Sequence, residues 1–413
     1  MSRFLFPSPW PKTWPLRNRG LDTWLISYVR ESWKRRPPCR EDSIHVLLCI
    51  ADHYEPGRGQ ASPAVADERV KYWLENYPRL FGNFCDSDGR PPRHSFFFPQ
   101  DEYEPRHLDA LGSLCRQGFG EVEVHLHHDN DTAEGLRSKL ESFKEILAER
   151  HGLLSRHRRT GRLAYGFIHG NWALDNSRPD GRMCGVNNEL DVLRETGCYA
   201  DFTMPSCPSP CQTRKINSIY YGVDDPRRPK SHDTGIDAGP GTPPEKALLL
   251  IQGPLLFDWN RRKWGIVPRV ENGCIQATQA PTMERLDLWL RARVQVPSRP
   301  DWYFVKLFMH GAKDQDRRVV LGEPMVRFHQ ELAHRAADDS SFHFHYVSAR
   351  EMYNLVRAAE SGWSGDVEGA RDFELVWNGA ALPQALDQSA RREHILKKAS
   401  TPRLPSMSHA AVP

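Results

Sequence analysis

EVEVHLHHDNDT, Glu121 to Thr132, runs an alternating strand straight into three histidines and two aspartates. Glu121, Glu123, His125 and His127 share one face at period two, and Val122, Val124 and Leu126 share the other. The strand is therefore expected to turn its polar face outward and to present His125 and His127 together. Imidazoles two residues apart at a strand's end, followed by a carboxylate, suit zinc or a similar first-row metal. The next segment reads as a helix from Ala133 to Arg150, with Asp131 as its expected cap and Glu134 three residues later.

Working outward, strand and helix signals alternate. Ile44 to Ile50 is a continuous apolar run, the pattern of a strand covered on both faces, and it ends in ADHYEP, 51 to 56. Helical spacing follows from Pro63 to Phe81. HSFFFP, 94 to 99, is the second strand, and Pro105 to Gln117 is a helix opened by proline and closed by Gly118 and Gly120. After the helix that follows Thr132 come a strand at Leu163 to His169, a helix at Asn188 to Glu195 and a strand at Tyr199 to Met204. Residues 205 to 244 read as loop. Strands are expected again at 246 to 252, 302 to 309 and 342 to 347, the last running into a helix at Ala349 to Val356. Such alternation predicts an α/β fold, a parallel sheet closed as a barrel or doubly wound, with functional residues at the carboxyl ends of its strands. Those ends carry Asp52 and His53; Gln100, Asp101 and Glu102; His125, His127, His128 and Asp129; His169 and Asn171; and His310.

Composition narrows the class. The 413 residues carry 56 basic and 53 acidic side chains, a formal charge of +3, which argues against a dedicated nucleic-acid binder. The longest apolar runs fall far short of the roughly 20 residues that a membrane span needs. The proline-broken start, MSRFLFPSPWPKTWPL, does not read as a secretory signal. Nine scattered cysteines fit a reducing cytoplasm, and Cys184, Cys198, Cys207 and Cys211 match no common zinc module. Residues 1 to 43 form a basic extension with Trp10, Trp14, Trp24 and Trp33 interleaved. They are read as a possible peripheral membrane contact, against the blander reading that the tryptophans pack on the main domain. Residues 44 to 357 form the main domain. Residues 358 to 413 form a C-terminal extension whose last part is expected to be disordered.

Seven stretches in order resemble the polysaccharide deacetylase family, the carbohydrate esterases of the chitooligosaccharide deacetylase type. They are CIADH (49 to 53), SFFFP (95 to 99), EVEVHLHHD (121 to 129), YGFIHGNWAL (165 to 174), ELDVLRETGCYADFTMPS (189 to 206), VKLFMHG (305 to 311) and FHYVSAREM (344 to 352). The resemblance implies an incomplete parallel (β/α) barrel holding a divalent metal, most often zinc, and removing an acyl group from a sugar or polysaccharide precursor. It implies Asp52 as the base, His310 as the acid, and His125 as a metal ligand. The family's Asp-Asp doublet is here Asp52-His53, so His53 takes the metal position, or Asp52 does and the base position falls on Ala51. His128 or Asp129 completes the ligands. His169, Asn171 and Trp172 stand where the family has a substrate loop. Two other readings remain: a metal-dependent amidohydrolase or phosphoesterase barrel, suggested by the His-x-His pair, and a barrel that binds glycan without cleaving it.

Overall fold

The apolar run before Asp52 forms β1 (Ile44–His53), the strand around which the others assemble. This is a computed structural model, and it describes residues 21–34, 42–241, 243–377 and 379. After α1 (Leu21–Arg30) and β1, the chain alternates through α2 (Pro63–Phe81), β2 (His94–Pro99), α3 (Pro105–Leu114), β3 (Gly120–Leu126) and α4 (Ala133–Glu145). It continues with β4 (Ser155–His157), β5 (Leu163–His169), α5 (Glu189–Thr196), β6 (Cys198–Asp201), β7 (Ile219–Val223), β8 (Ile236–Asp237) and β9 (Ala247–Ile251). A two-stranded ribbon, β10 (Leu256–Lys263) with β11 (Val267–Glu271), precedes β12 (Cys274–Ile275), α6 (Met283–Ala292) and β13 (Trp302–Met309). Last come α7 (Asp314–Val320), α8 (Glu323–Asp338), β14 (Phe342–Tyr346), α9 (Ala349–Glu360), α10 (Val367–Ala370) and β15 (Leu375–Val376).

Among the described residues thirteen strands form one sheet with the path β12-β13-β1-β2-β3-β5-β6-β9-β7-β8, and there the sheet does not close into a barrel. Every pairing from β12 to β9 is parallel; β7 returns antiparallel on β9. β1 is long enough for two neighbours on one side, β14 along its first half and β2 at its end. Parallel strands need crossovers, which cover both faces, so β1, β2, β3 and β13 are buried almost throughout. One face, with Val46, Leu48, Ile50, Phe96, Val122 and Val124, packs beneath α2, α3 and α4. The other, with Leu47, Cys49, Ala51, Phe97 and Phe304, packs with α9.

The alternation in β3 therefore has a different origin from a solvated outer face. Glu121 and Glu123 are buried on the α9 side. Arg350 grips Glu121 through Nε and Nη2 at 2.8 and 2.9 Å, Arg93 adds a contact at 3.1 Å, and Tyr199 donates to Glu123 at 2.7 Å. The polar face is internal: Glu121 is paired with two arginines, while Glu123, pushed up to about 8 by burial, is held by Tyr199 and the Gly166 N–H.

Other expectations shift locally. Thr132, not Asp131, caps α4, its hydroxyl accepting from the Gly135 N–H, while Asp131 ion-pairs with Lys139. Residues 205–244 contain β7 and β8, and 253–301 contain the β10–β11 ribbon and α6. The boundary expected at 357 falls inside α9, and beyond it β15 pairs with β4. Residues 1–20, 35–41 and 380–413, which hold most of the basic extension and the expected disordered tail, lie outside the described residues. Trp24 is buried against Tyr28 and Phe257, at 5.4 and 4.9 Å between ring centroids, as the packing reading expects; Leu25, Ile26, Val29 and Trp33 are exposed. Among the described residues no helix is long and apolar enough to cross a membrane.

Candidate metal centre

Strand parity decides which side chains meet. At the end of β1, Ala51, His53 and Glu55 alternate onto the α9 side of the sheet, while Asp52 and Tyr54 point under α2. β3 delivers His125 to the same side with His127 just beyond its end, and β13 delivers His310. Two overlapping groups result, His53, Glu55 and His310, and Glu55, His125 and His127. Within each group one ligand atom from every residue lies within 4.8 Å of the others.

The hydrogen bonding orients two of these histidines as metal ligands are commonly oriented. His125 donates from Nδ1 to the Ile168 carbonyl at 3.1 Å, which turns Nε2 toward Glu55 Oε1 at 3.3 Å, a separation at which a proton or a cation lies between the two atoms. His127 places Nδ1 on Asp101 at 3.0 Å and Nε2 at 3.5 Å from the same Glu55 oxygen, the carboxylate–histidine pairing that steadies a ligating ring. The His53 ring lies 4.9 Å from that of His125 and 4.8 Å from that of His310, and its buried Nδ1 has no hydrogen-bond partner.

Protonation matches the same role. Burial, reinforced by His310 and His125, holds His53 well below the usual imidazole range, and burial also lowers His125 and takes His310 down to about 3. Although burial alone would raise Glu55, hydrogen bonds from His125 and His127 hold it well below the usual carboxylate range, with His310 and Arg58 adding to the effect. His127 is the exception: against burial, Asp101 and Glu55 push it up to about 10. The neutral imidazoles of His53, His125 and His310 around an ionised carboxylate are what a divalent cation binds, and three nitrogens with one oxygen suit zinc or a neighbouring first-row metal.

The expected site residues divide. His53, His125 and His310 come together. Glu55 and His127 join them, neither being among the site residues that the resemblance implies; their period-two spacing from His53 and His125 is the signal in the sequence. Asp52 is not brought to the cluster. Its Oδ1 accepts from the Gly311 N–H at 2.6 Å and its Oδ2 lies 2.9 Å from His94 Nε2, while a Cβ at Gly311 would lie 2.2 Å from that second oxygen. The carboxylate is thus a buried tie between β1, β2 and the turn after β13, facing away from any water on the histidines. Asp52→Asn is expected to keep full metal content and turnover within about tenfold, while costing about 1–3 kcal/mol of stability through the disturbed buried hydrogen bonds; metal analysis and urea denaturation check it.

His128 and His169 form a separate group with Cys184 and Glu189. Asp129 is exposed and accepts from the Met183 N–H at 2.6 Å, apart from both groups. Trp172 does reach the first cluster, its ring 4.8 Å from His53 and 5.1 Å from Phe308; Asn171 precedes it on the same loop. A third acidic group, Asp86, Asp88 and His345, already holds the Arg371 guanidinium. No protein-family model matches the sequence, and no curated protein matches it.

Proposed function

We propose that this protein is a metal-dependent hydrolase that removes an acyl group, acetyl in the simplest case, from a sugar or polysaccharide precursor. The observation that carries the metal is the convergence of His53, His125 and His310 on the Glu55 carboxylate, with the His125 ring fixed by its Nδ1–H on a carbonyl and its Nε2 facing Glu55. The mostly parallel open sheet, with its site at the carboxyl ends of β1, β3 and β13, supports the deacetylase-type barrel suggested by the seven sequence stretches.

A divalent ion here supplies Lewis acidity toward a carbonyl oxygen and toward water. His53, Glu55 and His125 hold it, with His127 or His310 completing the set. His310 enters this site through its place beside His53 and Glu55, one ligand atom from each lying within 4.8 Å of the others. Asp52 faces away, so the proton-accepting role passes to another carboxylate. Burial pushes Glu102 up to about 7 against the Gly57 N–H that its Oε2 accepts at 2.6 Å, with Glu55 and Asp101 adding repulsion. Trp172 walls the cluster and offers a flat apolar face of the kind on which a sugar ring stacks.

A second reading, a metal-dependent phosphoesterase or amidohydrolase, is favoured by one observation: both members of the His125-x-His127 pair reach Glu55. One assay separates the two. Zinc-loaded protein is expected to release acetate from N- or O-acetylated amino-sugar oligomers and to lose that activity on chelation. Phosphate release from phosphoesters with no acetate from any acylated sugar would move the assignment to the second reading.

A further inference from the structure

A second group of ligand-type side chains lies on the loop side of β3 and β5. His128 follows β3, His169 ends β5, Cys184 lies in the loop between β5 and α5, and Glu189 opens α5. All four are buried, and one ligand atom from each lies within 4.8 Å of the others. His128 Nε2 and Cys184 Sγ approach the Glu189 carboxylate at 3.1 and 3.3 Å, and His169 Nε2 stands 3.9 Å from it.

Three features of this group bear on ion binding, and the first points to an ion rather than to a self-contained hydrogen-bond network. His169 Nε2 is fully buried, aimed at the group, and has no hydrogen-bond partner. Backbone N–H groups of Asn176 at 3.3 Å and Val186 at 3.4 Å point at the Cys184 sulfur, and since burial and Glu189 hold its thiol well above the ordinary range, metal binding itself would have to displace the proton. Asp131 Oδ2 lies 3.3 Å from His128 Nδ1 without completing a hydrogen bond, an outer carboxylate beside an imidazole whose Nε2 is turned inward to Glu189.

We propose that His128, His169, Cys184 and Glu189 bind a structural zinc ion, distinct from the His53–Glu55–His125 centre. Two imidazoles, a thiolate and a carboxylate make a closed four-coordinate set with no position left for substrate. The ion would tie the loop between β5 and α5 to the strand ends. That loop holds Trp172, Asp175, Asn176 and Met183 at φ values of 64, 53, 51 and 68°, a left-handed region that Asp and Asn tolerate but that is strained for Trp and Met. Zinc at His169 Nε2 requires the proton on Nδ1, so the 3.2 Å contact from the Asn171 N–H to Nδ1 must open. This adjustment lies one residue from Trp172, the wall of the first cluster, and so couples the structural ion to the site beside it.

The test uses the full chain, zinc analysis and cobalt substitution. Wild type is expected to hold two zinc ions, and Cys184→Ser and His125→Ala one each. Cobalt-loaded wild type and His125→Ala show an intense sulfur-to-cobalt charge-transfer band, which Cys184→Ser lacks. Because His53, Glu55, His125, His127 and His310 offer no sulfur, the band reports the second site alone. One zinc per chain, lost in His125→Ala, with no thiolate band in cobalt-loaded wild type, would overturn the proposal and leave the first centre standing. Zinc lost in Cys184→Ser but unchanged in His125→Ala would leave this proposal standing and remove the first centre. If Cys184→Ser does not fold, the band in His125→Ala decides: its presence supports the thiolate ligand, and its absence overturns it.

Discussion

His125→Ala lowers kcat/KM for acyl-sugar hydrolysis by roughly a thousandfold or more, a loss of at least about 4 kcal/mol of transition-state stabilisation, because it removes Lewis acidity as well as a side chain. The magnitude follows from the position of His125. Its Nε2 faces Glu55, and its Nδ1 is already committed to the Ile168 carbonyl, so no neighbouring histidine can take its place without rebuilding the end of β3. The substitution also leaves that carbonyl unpaired, so folding is checked by circular dichroism and gel filtration. Asp52→Asn serves as the matched comparison, a change at an equally buried polar residue that lies outside the cluster. Comparable losses in the two variants would show that general damage to the strand ends, not metal chemistry, sets the rate.

Arg350→Ala is expected to destabilise the fold by about 3–5 kcal/mol, the cost of removing the bidentate partner of a buried charge and leaving it only the single Arg93 contact. Arg350 is 3% exposed and Glu121 4%, and the guanidinium also donates to the Leu375 carbonyl at 2.8 Å. One side chain thereby joins β3, α9 and the chain around β15. Arg93 continues the network from Glu121 to Glu351. Arg327→Ala removes an ion pair whose members are 62% and 67% exposed and is expected to cost about 1 kcal/mol or less. The comparison is read from urea midpoints at constant slope. Equal midpoints would contradict the account of β3 as a strand whose Glu121 charge is internal and paired.

The two residues just discussed show what sequence could and could not reveal. Period two in EVEVHLH identified a strand with two unlike faces, but not which face meets solvent, because a paired internal charge and a solvated one look alike in sequence. The ends of β5 and β13 were legible because apolar runs stop sharply at His169 and Met309. The metal residues at the end of β1 depended on parity. Asp52 and His53 are neighbours, hence on opposite faces, and only the packing of Tyr54 against Trp73 and of Asp52 against Gly311 shows which one turns toward His125. Glu55 followed the apolar run and read as loop, although it continues the same alternation. Cys184 was weighed against Cys198, Cys207 and Cys211, whereas its partners are two histidines and a glutamate distant in sequence. The β10–β11 ribbon escaped notice because the stretch from Trp259 to Trp264 is polar and exposed, and pairs only with its own hairpin partner.

Anomalous scattering at the zinc edge, from crystals of zinc-loaded protein, tests the central claim most directly. The account predicts a peak bonded at about 2.0–2.2 Å to His125 Nε2, to a Glu55 oxygen and to His53, the distances of zinc to nitrogen and oxygen ligands. A map with no peak among His53, Glu55 and His125, in protein shown to carry zinc, would contradict it.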